Sequence, residues 1–239
     1  MITVRRSEER GRSKISWLNS AHTFSFSHYY DPAHMGFGCL RVINDDRVVA
    51  SGGFDTHPHR DMEIISYVLS GALAHKDSMG NGSTIRYGDI QRMSAGTGVL
   101  HSEFNASSNE PLHFLQIWII PDKLGYEPRY EQKYFSPEEK QGRLLLLASN
   151  TGHDGSIHIH QDVDMYAGRF DGDESAAFQL KPNRMAWLHV ALGEITINGE
   201  SYKEGDGLAC TDQALLQLSD GKHAEIILFD LPVNAQMPE

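Results

Sequence analysis

Cysteine is nearly absent. Cys39 and Cys210 lie far apart, and neither belongs to a Cys-x-x-Cys pair. Two separated thiols cannot frame a disulfide-dependent fold and read as small apolar residues of a reducing compartment. Long apolar runs are missing too. The longest, such as Leu144 to Ala148, fall far short of a bilayer span. Met1-Ile2-Thr3-Val4-Arg5-Arg6 runs straight into Ser7-Glu8-Glu9-Arg10 with no apolar stretch behind it. No membrane segment or secretory leader is therefore expected, and the cytoplasm is the default location. An excess of basic charge is lacking as well. The 32 acidic residues outnumber the 21 basic ones for a net charge of -11, which removes the electrostatic basis for holding nucleic acid directly by its phosphates.

Helical periodicity is weak throughout. The best helix start is Ser136-Pro137-Glu138-Glu139-Lys140, with Ser as N-cap, Pro in the first turn and acids at the positive end; Gly142 stops it after a turn or two. What remains reads as strand. Leu40 to Ile43, Ile64 to Leu69, Phe114 to Ile120, Leu144 to Ala148, Trp187 to Leu192 and Ile226 to Phe229 are short apolar or alternating segments bounded by turn residues. Such spacing predicts an all-β sandwich or barrel.

The chain also repeats itself. Tyr67-Val68-Leu69-Ser70-Gly71 is followed by Gly88-Asp89, and His189-Val190-Ala191-Leu192-Gly193 by Gly205-Asp206. Each half has a strand ending in Gly, a hairpin, then a Gly-Asp turn into the next strand. The second hairpin is shorter and centres on Asn198-Gly199, a strong type I′ signal. The expected division is a first domain over 1–125 with an N-terminal extension, a polar linker over 126–142 and a second domain over 143–239.

One constellation carries chemistry. In Thr56-His57-Pro58-His59-Arg60, His57 and His59 are two apart on a segment that Pro58 keeps extended, so both side chains face one way. His101-Ser102-Glu103, after Gly96-Thr97-Gly98, repeats the device. Two such pairs on neighbouring strands supply three imidazoles and a carboxylate, a donor set for one divalent transition metal with positions left open. Gly96 and Gly98 are no phosphate loop, because neither a helix pattern nor a suitably placed Lys follows.

These residues are also recognisable. His57-x-His59-x3-Glu63-x7-Gly71 resembles the first cupin motif with one extra residue before the Gly. Gly88-x5-Ser94-x-Gly96-x4-His101 resembles the second, with Ser in place of the usual Pro and a longer gap to the His. More specifically, His57-Pro58-His59-Arg60, Gly88-Asp89-Ile90-Gln91, Met93-Ser94-Ala95-Gly96-x-Gly98, Trp17-Leu18-Asn19-Ser20-x-His22-Thr23-Phe24-Ser25-Phe26 and Tyr29-Tyr30-Asp31-Pro32 resemble the pirin family.

The resemblance implies a bicupin: two tandem antiparallel jelly-roll barrels with few short helices. It places the metal in the N-terminal barrel on His57, His59, His101 and Glu103. Glu63, where the general cupin pattern has its carboxylate ligand, becomes a supporting residue or ion-pair partner. The repeat puts Gln179, Lys181, Leu218 and Asp220 where the four ligands would recur, so the C-terminal barrel is expected to be metal-free.

The family further implies quercetin 2,3-dioxygenase activity on a small planar aromatic substrate with O2. Its members from higher organisms act instead as metal-dependent partners of transcription factors, so a protein partner in a regulatory or redox-sensing role is the alternative. Glu103 is the expected general base for the flavonol hydroxyl. Fe(II) is the favoured ion, and Cu, Ni, Mn, Co and Zn suit the same donors. A monomer is the default for a fold that already duplicates itself internally.

Three other features resolve as structure on sequence grounds. In Ile157-His158-Ile159-His160, alternation predicts Ile inward and His outward with no metal role. Asp162-Val163-Asp164 resembles a structural stretch of the same family. Phe24, Phe26, Tyr29 and Tyr30 are read as core of the N-terminal extension in preference to a pocket lining.

Overall fold

The computed structural model describes residues 1–212 and 215–238. They form two compact units. One comprises residues 11–134, 159–161 and 236–239; the other comprises 1–10, 135–158 and 162–235. The short first strand, β1 (Ile2–Arg5), belongs to the second of these, where it extends a sheet described below.

The first unit contains β2 (Gly11–Lys14), β3 (Leu18–His22), β4 (Leu40–Val48), β5 (Gly53–His59), β6 (Glu63–Ser70), β7 (Ala72–Asp77), β8 (Gly82–Arg86), β9 (Asp89–Ser94), β10 (Val99–Asn105), β11 (Leu112–Ile119) and β12 (Arg129–Tyr134). They make a seven-stranded sheet in the order β12-β9-β6-β11-β4-β3-β2 and a four-stranded sheet in the order β5-β10-β7-β8. Pairing is antiparallel in both. Val48, Val68, Leu73, Ile85, Leu112 and Phe114 pack in one apolar cluster, so residues of both sheets bury each other. Trp17 closes its rim edge-on against Phe54, with ring centroids 4.9 Å apart.

The second unit adds β13 (Leu144–Ser149), β14 (Ile157–His158), β15 (Asp164–Phe170), β16 (Ala176–Gln179), β17 (Arg184–Ile197), β18 (Glu200–Lys203), β19 (Gly207–Cys210) and β20 (Leu215–Pro232). Its sheet runs β1-β19-β17-β20-β15-β13-β14, with β16 on β20 and β18 on β17. Leu188, Val190, Ile226 and Leu228 sit in its core, as does Leu218.

The repeat seen in sequence recurs in the backbone. Gly71 and Gly193 both take left-handed φ, at 79° and 69°, and Gly88 and Gly205 match at 91° and 86°. A side chain at either of the first two would meet backbone, since a Cβ on Gly71 lies 2.6 Å from the Pro111 carbonyl oxygen and one on Gly193 lies 2.3 Å from that of Lys222. Asn198 and Gly199 both have positive φ, as a type I′ turn requires. The expected helix start is a single 3₁₀ turn, Glu138–Lys140. Ser136 Oγ accepts from the Glu139 amide at 3.2 Å while a Glu139 carboxylate oxygen accepts from the Ser136 amide at 2.7 Å. Within the polar stretch 126–142, β12 pairs along β9 as the edge of the seven-stranded sheet.

Candidate metal centre

β5 and β10 pair so that His57 stands opposite His101, and Pro58 opposite Leu100. His59, two residues from His57, faces the same side. The three rings converge, with centroids 4.5 to 4.8 Å apart, and one nitrogen from each lies within 4.8 Å of the others.

The hydrogen bonds say which nitrogens are available. His57 Nδ1 lies 2.6 Å from the Asp55 carbonyl oxygen, which can only accept. The proton therefore sits on Nδ1, and Nε2 carries the lone pair. That lone pair faces His101 Nε2 at 3.0 Å. Without a cation, His101 has to donate from Nε2, which leaves its buried Nδ1 as a bare acceptor with no partner among the described residues. A divalent ion between the rings takes both facing Nε2 lone pairs, so neither imidazole has to donate to the other, and the residues present fit the group. Burial, reinforced by the neighbouring imidazoles, lowers the His59 pKa to about 4 and the His101 pKa to about 2. Both rings are neutral at pH 7, the form that binds metal.

Glu103 sits differently. The β5–β10 register slips between His101 and Glu103, and such a bulge re-aims the side chain that follows. Its oxygens point to the seven-stranded sheet, where they accept from Ser66 Oγ at 3.0 Å and Gln116 Nε2 at 2.6 Å. Burial pushes its pKa up to about 7 against the pull of those two donors. The structure thus groups His57, His59 and His101 in one set, and Glu103 with His101 and His75 in another.

Sequence reading missed His75. It stands opposite Glu103 on β7 and is held by Asp77, Nε2 to Oδ2 at 3.0 Å, with both side chains fully buried. The one signal for it was the His75-x-Asp77 spacing inside the hairpin after Gly71. Glu63 lies outside both sets. It accepts from Ser94 Oγ at 3.0 Å and pairs with His160 Nδ1 at 3.1 Å. His160 is a departure from expectation: it is buried and stacks on Tyr126 at 3.8 Å instead of facing solvent. Regular strand ends at His158, and the alternation ends with it.

A cavity of about 600 Å³ opens beside His57, His59 and Glu103. Phe26, Phe54 and Trp118 are among its walls. Trp118 meets His59 edge-on at 4.9 Å, and Phe26 meets Trp118 edge-on at 5.2 Å. The N-terminal aromatics therefore split: Phe24 is core, Phe26 lines the cavity, and Tyr30 is exposed.

Residues 3–119 match the model of the Pirin family, and residues 146–231 match that of the quercetinase C-terminal cupin domain. The chain belongs to the pirin family. The quercetin 2,3-dioxygenase of Escherichia coli K12 is 48% identical over 232 residues, covering 97% of this pirin and 99% of the relative. The crystal structure of the E. coli bacterial pirin YhhW in complex with nickel(II) superposes with a TM-score of 0.92 at 47% identity, covering 97% of this pirin and 99% of that chain. A quercetin 2,3-dioxygenase structure from Acinetobacter baumannii, 18% identical with a TM-score of 0.76 over 94% of this pirin and 84% of that chain, shares the fold.

Proposed function

We propose that this pirin is a metal-dependent dioxygenase that opens flavonols such as quercetin with O2. The observation that carries the reading is the convergence of three imidazoles at the wall of an aromatic-lined cavity, with a buried carboxylate beside them. His57, His59 and His101 would hold the ion, and Glu103, already grouped with His101, would complete the set while Ser66 and Gln116 keep hold of its carboxylate. Fe(II) is the favoured occupant, and the nickel in the E. coli pirin agrees with a site open to several divalent ions. When bound, the ion supplies Lewis-acid acidification of the flavonol hydroxyl and a route for electrons to O2.

The rest is done by this chain. Phe26 and Trp118 present ring edges and faces to a flat substrate and keep water from it. Glu103 takes the proton of the substrate hydroxyl on a carboxylate oxygen, and Ser66 and Gln116 hold that carboxylate in place. The two units are read as two cupin barrels, the first metal-binding and the second not, in a monomeric cytoplasmic protein.

The test is metal analysis after anaerobic purification, then oxygen uptake with quercetin. Near one ion per chain is expected, with uptake and carbon monoxide release that both disappear in His57→Ala. Metal bound at that ratio with no uptake under any loaded ion would overturn the oxygenase reading in favour of a metal-dependent binding protein.

A further inference from the structure

Polar residues run straight across one face of the seven-stranded sheet. Register pairs His22 with Asn44, Asn44 with Gln116, and Gln116 with Ser66. One residue pair along, Ser13 pairs with Ser20 and Ser20 with Asp46. This is the cavity face, because Ser13, His22, Asn44, Asp46 and Gln116 all line the cavity. Gln116 and Ser66 are occupied with Glu103. The Ser13, His22 and Asn44 end has no part in the metal centre.

The chemistry of that end is fixed by one imidazole. His22 Nδ1 lies 2.7 Å from Asn44 Oδ1, and His22 Nε2 lies 2.8 Å from Ser13 Oγ. An amide oxygen only accepts, so Nδ1 carries a ring proton, and in the neutral imidazole Nε2 is then the acceptor. Ser13 therefore donates its proton to His22 and keeps its oxygen lone pairs for another partner. Tyr29 stacks on the His22 ring at 6.2 Å and 16°, which holds the plane that aims Ser13. Ser13 itself is only half-buried. Nearby, Asp46 Oδ1 is a buried carboxyl oxygen with no hydrogen-bond partner among the described residues. Ser13 thus presents an acceptor at this wall, and what satisfies it is a hydroxyl donor on the occupant.

Distance places that hydroxyl at the end of the occupant far from the metal centre. From β11, which holds Glu103 through Gln116, to β2, which carries Ser13, the sheet takes three interstrand steps, roughly 14 Å at the usual spacing. We infer that Ser13, oriented by His22 and Asn44, is a specificity-determining residue that accepts a hydrogen bond from a phenolic hydroxyl on the substrate ring remote from the metal. The inference rests on the flavonol reading above and narrows it to flavonols hydroxylated on the pendant ring.

The experiment compares quercetin, which carries two pendant-ring hydroxyls, with galangin, which carries none there. Both kcat/KM and Kd (from tryptophan fluorescence quenching) are measured on the metal-loaded wild type, Ser13→Ala and Ser13→Thr. The wild type should favour quercetin by on the order of tenfold, the size of one or two neutral hydrogen bonds. Ser13→Ala should shrink that preference to within about twofold, chiefly through KM, at unchanged metal content, and Ser13→Thr should restore it. A preference that survives intact in Ser13→Ala overturns the inference. If the wild type turns over neither flavonol, the oxygenase reading fails, and the Kd comparison still decides this wall: a quercetin preference lost in Ser13→Ala upholds it, and equal affinities in the wild type reject it.

Discussion

Asp46 illustrates how much a single side chain's surroundings decide. Its carboxyl is fully enclosed, and burial raises its pKa from 3.8 to about 7, with Asp45 and Glu103 adding repulsion and Ser20 opposing. The folded chain therefore holds a proton there between about pH 4 and 7 that the unfolded chain has released. Stability from this site is present below the unfolded value and declines as pH rises through that window. Asp46→Asn carries no charge at any pH. Its melting temperature relative to wild type should accordingly climb between pH 5 and pH 8 in paired thermal scans; a constant offset across that range would show that Asp46 does not titrate there. At this same scale, legibility depended on range. His57 and His59 were readable because two residues on one extended segment share a face. His75, His22 and Asp46 were not, because their partners are set by pairing between strands distant in sequence. His160 was misread outward since its strand stops two residues earlier.

At the scale of elements, the turn after β9 is under tight steric constraint. Gly96 has φ 46°, and a Cβ there would lie 1.9 Å from the Tyr126 carbonyl oxygen. The Gly96 carbonyl accepts from the Asp61 amide, and Tyr126 accepts from the Thr97 amide. Gly96→Ala must push the 126 segment away and disturb the Tyr126–His160 stack with it. A loss of at least about 2 kcal/mol is expected, in the range of strained-backbone substitutions, and a denaturant midpoint within error of wild type would refute the constraint. Apolar strands such as β6 and β11 were plain in the sequence because they are buried on both faces. β12 was not: Arg129 to Tyr134 is half-exposed along its whole length, and an edge strand needs no apolar face to announce it. The glycines of the repeat were legible for the opposite reason, since a left-handed turn leaves few residue choices.

For the molecule as a whole, the proposed ion binds within residues 11–134, so its stabilisation should be confined there. Ligand binding protects the elements it holds in proportion to ln(1 + [L]/Kd). Amide exchange on the metal-loaded protein should quicken in β5 and β10 when a chelator is added and stay constant in β17 and β20. Equal quickening in all four strands would mean that the chain opens as a single cooperative unit. The division into two β-rich halves and the family were visible in the sequence because the motifs are dense up to Pro121 and the glycine pattern repeats. The assignment of residues 1–10 to the second unit was not, because Ile2-Thr3-Val4-Arg5 shows a strand without naming its partner β19.

Both thiols of the chain are fully enclosed: Cys39 and Cys210 have no exposed surface, and burial lifts the Cys210 pKa to about 12. Neither can present a thiolate to a maleimide at neutral pH while the chain is folded. A cysteine engineered at an exposed position such as Tyr30 or Leu124 would then be the sole site of attachment, so a single fluorophore or spin label can be placed on the otherwise unaltered sequence, with no cysteine-free background needed first.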